Sequence, residues 1–203
     1  MIEYAMENSK HLDRSGRRPV YRLTEVIQND GAPCLIPDVA FHPSGAYFAV
    51  TYQDVNEVRI YESRARKLLH VLRNPESQLD EPHGVFYSEN YLVVTNRHRL
   101  KKPSAINVYR NDGSIKKPIQ IFQTPFDHLR EAHSLALRDG RLVATYCENV
   151  GWAGAIVCYG FNQRTGRITN PLDKVETWFS EYGHAKGICF NEDGTKLLVT
   201  FES

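Results

Sequence analysis

The stretch Val39-Ala-Phe-His-Pro-Ser-Gly45-Ala-Tyr-Phe-Ala-Val-Thr51 is an apolar run, a turn at Ser44-Gly45, and a second apolar run ending in threonine. The pattern returns as Gly84-Val-Phe-Tyr-Ser-Glu-Asn90-Tyr-Leu-Val-Val-Thr95, Leu135-Ala-Leu-Arg-Asp-Gly140-Arg-Leu-Val-Ala-Thr145 and Ile188-Cys-Phe-Asn-Glu-Asp-Gly194-Thr-Lys-Leu-Leu-Val-Thr200. The threonines are 44, 50 and 55 residues apart. Each copy sets two short β-branched and aromatic segments around Ser-Gly, Glu-Asn or Asp-Gly, residues that supply or tolerate the positive φ of tight turns. Each copy is therefore expected to be a β-hairpin.

Outward from each of the first three hairpins lies a segment with a fixed aromatic: Val58-Arg-Ile-Tyr61, Ile106-Asn-Val-Tyr109 and Ile156-Val-Cys-Tyr159. A fourth segment type follows, a basic residue with bulky apolar residues four and five positions on: Lys67 with Val71 and Leu72, Lys117 with Ile121 and Phe122, Lys174 with Trp178 and Phe179. Arg22 with Val26 and Ile27 gives the same pattern ahead of the first hairpin. Four antiparallel strands per repeat, with no helical periodicity between them, is the pattern of a β-propeller blade. A β-sandwich would not need the same order of four strand types three times over. The expected fold is all-β: a propeller of four-stranded antiparallel blades, with about three complete blades and partial terminal blades, or half of a seven- or eight-bladed ring. The blades fall near 37–74, 82–124 and 132–180, with an incomplete one at 185–203, a leading strand at 22–28 and a flexible N-terminal segment over 1–19.

Phe41-His-Pro-Ser-Gly45 and Phe190-Asn-Glu-Asp-Gly194-Thr-Lys-Leu resemble the F-x-P-D-G-x-x-L turn of WD40-like and YVTN-type propellers, and Leu92-Val-Val-Thr95-Asn96 resembles the YVTN signature. The Trp-Asp pair of WD40 third strands is missing, so the resemblance is nearer to bacterial YVTN or lactonase-like propellers. It implies that first strands line a central channel and that the loops before them share a face with the loops between strands two and three. It is specific for fold and unspecific for function.

Lys and Arg number 25 against 24 Asp and Glu, so the formal charge of +1 gives no overall field to draw in nucleic acid, and no such partner is expected. No apolar run approaches the length of a membrane helix and Met1–Lys10 has no signal-like apolar stretch, which points away from the membrane and toward the cytoplasm. Cys34, Cys147, Cys158 and Cys189 have neither C-x-x-C nor zinc spacing. Reduced, buried thiols are the plain expectation, with a Cys147–Cys158 bridge across one hairpin as the alternative.

Just ahead of the first strands stand Asp38, His83, His133 and His184, nearly one per blade. Imidazoles converging from successive blades suit a transition metal, so His83, His133 and His184 are metal candidates. Counted back from Phe86, Leu137 and Phe190, however, they lie three, four and six residues away, and polar channel lining is the competing role. Gly183-His184 resembles the structural Gly-His of WD40-like propellers. His128-Leu-Arg-Glu131-Ala-His133 is not H-E-x-x-H and is expected to be a solvated loop. Arg97, Arg99, Lys101 and Lys102 form the densest basic cluster, able to capture an anion near the channel mouth or simply to be solvated. Trp152, in a glycine-rich loop, is a candidate contact anchor. Glu202 resembles the glutamate that ends a comparable strand in phosphogluconolactonase-like proteins.

No G-x-S-x-G, phosphate loop or dinucleotide motif occurs, and no cofactor is indicated. The expected function is a binding module engaging a partner protein or small ligand at the channel mouth. The alternative is a lactonase- or cyclase-like enzyme, possibly metal-dependent. An open half ring would need further C-terminal blades or a homodimer that closes the propeller.

Overall fold

The computed structural model describes residues 2–7, 22–28, 34–97, 103–112, 115–127, 129–148, 154–177 and 183–202. The chain divides into two compact units, Met1–Leu35 and Ile36–Ser203. In the first, β1 (Ile2–Glu7) pairs antiparallel with β2 (Arg22–Gln28), Tyr4 opposite Val26. Residues 2–7 are thus a strand within the stretch expected to be a flexible segment. The alternating Ile2, Tyr4 and Met6 fit a strand, and β2 supplies the edge it pairs with.

The second unit holds three four-stranded sheets and a hairpin, each ordered as in the chain. The first sheet is β3 (Val39–Phe41), β4 (Tyr47–Tyr52), β5 (Glu57–Glu62) and β6 (Leu68–Arg73). The second is β7 (Pro82–Tyr87), β8 (Tyr91–Asn96), β9 (Ala105–Arg110) and β10 (Pro118–Gln123). The third is β11 (Leu129–Arg138), β12 (Arg141–Glu148), β13 (Gly154–Asn162) and β14 (Arg167–Thr177), and the hairpin is β15 (His184–Phe190) with β16 (Leu197–Glu202). These sheets are the blades of a partial β-propeller. Among the described residues no helix is long and apolar enough to cross a membrane.

The turns close largely as their residues dictate. Asp139 and Gly140, at φ 48 and 72, form a two-residue turn of the primed kind that matches strand twist. Glu89-Asn90 differs: it closes without positive φ, its backbone held by the Ser88 N–H to Tyr91 carbonyl bond at 2.9 Å and by the Ser88 hydroxyl, which accepts from Tyr91 N–H at 3.1 Å.

Apolar layers fill the space between successive sheets. Ala49, Val58, Ile60 and Leu72 meet Val85, Leu92 and Val94 in the first layer. Val93, Ile106 and Val108 meet Leu135, Ala144 and Val157 in the second, and Ala136 and Val143 meet Ile188 in the third. Strand β8 is buried along its whole length because both its faces lie in such layers. Two of the fixed third-strand tyrosines anchor within their own sheets, the Tyr61 hydroxyl 3.0 Å from that of Tyr52 and the Tyr159 hydroxyl 2.9 Å from that of Tyr146, whereas the Tyr109 hydroxyl donates to the Ser77 carbonyl at 2.6 Å.

The threonine expected to end each second strand lies one to three residues before its end, and it ties the sheets together. Its Oγ1 accepts a hydrogen bond from a first-strand amide of its own sheet: Asp38 to Thr51 at 3.1 Å, Gly84 to Thr95 at 2.7 Å, Ser134 to Thr145 at 3.0 Å and Gly187 to Thr200 at 2.9 Å. The hydroxyl then donates to a carbonyl of the next sheet: Thr51 to His83 at 2.8 Å, Thr95 to His133 at 2.9 Å and Thr145 to Lys186 at 2.7 Å. One hydroxyl thereby serves two polar backbone groups that burial would otherwise leave costly.

Two expectations are corrected. The stretch after His128 is not a solvated loop, since β11 begins at Leu129 and Leu129, Ala132 and His133 are buried. The Ala132 amide donates to Ser104 Oγ at 3.0 Å, which fixes this end of the strand against the second sheet. All four cysteines are free, and Cys34 and Cys147 are buried while Cys158 is half-buried and Cys189 exposed. Cys147 pairs with Gly154 and Cys158 with Val143, so the hairpin register holds the two thiols at different rungs. Trp178 and Phe179 of the fourth-type pattern lie outside the described residues.

Two substitutions test the junctions. Thr95→Val, nearly isosteric, removes the shared hydroxyl at a fully buried position and is expected to cost about 1–3 kcal/mol in urea unfolding. Gly84→Ala would place a methyl 2.3 Å from the His133 carbonyl oxygen and 2.9 Å from Ser134 Cα, both backbone atoms of the next sheet. Its expected cost is about 1–3 kcal/mol or more, because two sheets must separate to admit it.

Candidate functional site

The shared threonines define equivalent positions. The residue whose carbonyl accepts from the preceding sheet is His83, His133 or Lys186, and the next residue's amide serves its own threonine. His83 and His133 are therefore true equivalents. The apparent mismatch arose from Phe86, Leu137 and Phe190, which do not occupy one register: Phe86, Ala136 and Cys189 do, each facing the residue two before its threonine. His184 lies two residues before the equivalent position, which Lys186 holds.

His83, His133 and Lys186 meet where the first strands begin. The ring of His133 stands edge-on to that of His83, at 83° with centroids 4.5 Å apart. His83 Nδ1 lies 3.2 Å from the His133 carbonyl oxygen, which can only accept, so Nδ1 carries the proton and Nε2 is an acceptor. His133 Nδ1, 3.2 Å from that Nε2, therefore donates, which leaves His133 Nε2 to accept from Lys186 Nζ at 3.3 Å. One directional chain runs from Lys186 through His133 to His83. Both rings are neutral in it. Burial lowers the pKa of His83 to about 4 and that of His133 to about 2, and the neighbouring charges of Lys186 and Arg97 push both the same way.

Each cation has a carboxylate. Arg97, just after β8, pairs with Glu131 on β11, and Lys186 Nζ lies 3.0 Å from Glu202 Oε2 at the end of β16. Glu131 Oε2 is also 3.7 Å from His133 Nε2. His184 is half-buried, and burial followed by the Lys186 charge lowers its pKa. Beside the cluster, burial pushes the Cys147 thiol up to about 12, so it stays protonated.

Asp38 occupies a different place. Its Oδ2 accepts from the Val85 amide of the next sheet at 3.0 Å and its Oδ1 from Val39 at 2.8 Å. Burial raises its pKa to about 6 against these two bonds, which lower it. It therefore serves as a second tie between the first two sheets. Of the basic cluster, Arg97 is turned inward onto Glu131; Arg99, Lys101 and Lys102 lie outside the described residues, as does Trp152. Among the described residues no group of three or more His, Cys, Asp and Glu side chains is arranged to hold a metal ion. Lys186, Glu131 and Arg97 are the members that sequence pattern alone did not single out for this cluster.

No family model and no curated protein matches the chain. Solved β-propellers do. Hydrazine synthase of Kuenenia stuttgartiensis superposes with a TM-score of 0.66 at 15% identity, over 91% of this chain and 49% of that one. A Bacteroides uniformis protein provisionally assigned as a 6-phosphogluconolactonase gives 0.65 at 13% identity, over 94% and 56%. A chain of a nidogen–laminin complex gives 0.55 at 16% identity, over 92% and 60%. The class is thus fixed as β-propeller by likeness of fold. At these identities the likeness reaches no further than the fold, and the chain spans about half the length of the structures it matches.

The histidines and Asp38 act oppositely on stability in acid. His83 and His133 titrate below their ordinary 6.5, so the unfolded chain binds their protons first and stability falls as pH drops from about 6.5 toward 4. Asp38, at about 6 against an ordinary 3.8, binds a proton first in the folded state and adds stability over about pH 6 to 4. His83, His133 and His184, all lowered, oppose Asp38, so the urea midpoint is expected to fall over this window. It should fall more steeply in Asp38→Asn and more shallowly in a His83→Gln, His133→Gln double variant.

Proposed function

We propose that the chain is a binding module, a propeller scaffold that engages a partner protein or small ligand on the face where first strands begin and second strands end. The observation that carries this reading is that both nitrogens of the buried His133 and of the half-buried His83 are engaged within the protein. The rings are neutral and hydrogen-bonded, and both cations are paired with carboxylates, so the cluster organises the face and leaves no free nucleophile or base among its members. Lys186 and Glu202, the latter with its side chain 67% exposed, are the groups it presents outward. The four free cysteines suit a reducing compartment such as the cytoplasm.

A lactonase- or cyclase-like enzyme would need a base or a metal at this place. Metal analysis of the purified protein together with a 6-phosphogluconolactone hydrolysis assay separates the two. The binding reading expects substoichiometric metal and hydrolysis no faster than in buffer. Stoichiometric metal, or turnover, that disappears in a His83→Ala, His133→Ala variant would overturn it.

A further inference from the structure

The turns that join third to fourth strands lie at the opposite end of the sheets from the polar cluster, and they are basic. We propose that this rim is a second binding surface, which holds an acidic segment of a partner protein in extended form across the turns of the three four-stranded sheets. The turn of the second sheet carries Arg110, Lys116 and Lys117, and that of the third carries Arg164. Asp112 is the one carboxylate in the sequence of these two turns, 110–117 and 162–167. The equivalent turn of the first sheet adds Arg64 and Lys67.

Tyrosine hydroxyls string the three turns together. Tyr47, opposite Glu62 at the edge of the first turn, accepts at its hydroxyl from Asn111 Nδ2 at 2.8 Å. Tyr91, opposite Arg110, donates its hydroxyl to the Arg164 carbonyl at 2.9 Å. Gln120 and Ile168 then exchange two bonds between the second and third sheets, Gln120 Nε2 to the Ile168 carbonyl at 3.1 Å and the Ile168 amide to Gln120 Oε1 at 2.7 Å. The contact is close enough that a methyl at Gly166 would lie 2.5 Å from the Tyr91 ring and 2.8 Å from Ile119 Cδ1. The cations therefore stand on backbone that is fixed from sheet to sheet.

All six of these cations are exposed, and among the described residues none of their side chains has an ion pair or a hydrogen bond. Arg59, Arg97 and Lys186, by contrast, are each paired with a carboxylate. Glu62, the carboxylate nearest in sequence to Arg64, is held by the Arg64 amide at 3.0 Å and by the Ala65 amide. The second and third sheets each have a packed neighbour on both sides, so the exposure of their turns does not stem from an absent sheet. Packed sheets stand about 10 Å apart, so three turns span about 20 Å, the length of about six extended residues. An acidic peptide segment suits this rim better than nucleic acid, because no aromatic residue stands in the turns to stack on a base and the whole chain has a formal charge of +1. It suits it better than a flat anionic membrane, because the inner turns at the same end expose Glu89, Asp139, Glu192 and Asp193.

Fluorescence anisotropy of labelled octaglutamate on the purified chain, combined with lysine acetylation read by peptide mass, tests the proposal. The expected result is saturable binding that weakens with salt, in which the peptide protects Lys116 and Lys117 from acetylation. A Lys117→Gln, Arg164→Gln variant, changed only at exposed positions, should raise the dissociation constant about 3- to 10-fold. Arg73→Gln, exposed at the other end of the sheets, should leave it within about 2-fold. No saturation by about 0.5 mM protein, unprotected lysines, or an equal loss in Arg73→Gln would each overturn the proposal. Tighter binding of a length-matched oligothymidylate, or of phosphatidylserine vesicles, would overturn it as well.

Discussion

A threonine hydroxyl shared between neighbouring sheets fixes the register of the whole stack. Apolar layers between β-sheets are non-directional and tolerate sliding by a residue or a fraction of one. A hydroxyl that accepts from one sheet and donates to the next tolerates neither, because a slip would leave a buried amide or carbonyl unpaired. Thr51, Thr95 and Thr145 each hold one such point. At the second junction the constraint is doubled by Gly84, whose missing side chain lets the His133 carbonyl approach.

The polar cluster is a product of the same device. The residues whose carbonyls receive the threonine bonds, His83, His133 and Lys186, are also those whose side chains form the hydrogen-bonded chain. Backbone register thus delivers successive side chains to one place, and the short distances between them follow from the close approach of the sheets. Burial then dictates chemistry. Neutral imidazoles are less costly there than charged ones, and the two cations persist because Glu131 and Glu202 sit against them.

Much of this was legible in the sequence. The hairpins, their order and the threonine near the end of each second strand follow from alternating apolar residues and turn chemistry, which are local properties. The role of that threonine was not legible, because its acceptor lies in another sheet. Nor was Lys186, since counting from the aromatic residues of the first strands mixes registers. Counting back from the threonines recovers it: 14 residues from Thr200 reach Lys186, as 14 from Thr51 reach Pro37 and 12 from Thr95 and Thr145 reach His83 and His133, the difference being two extra residues in the longer turns. The burial of His133 is not legible because Arg130 and Glu131 make the start of β11 look solvated until the second sheet covers that end of it. Arg97 looked like a free cation because Glu131 is 34 residues away in the chain.

The central claim is that the shared hydroxyls are structural fasteners between blades. Native-state amide hydrogen exchange tests it most directly, at Gly84 and Ser134, whose amides donate to Thr95 and Thr145. If the claim is right, these two amides exchange only through global unfolding, as slowly as the central strand β8, although each lies at a break in the ladder between the first and second strands of its sheet. Exchange at the rates of exposed loop amides, with β8 still protected, would contradict it.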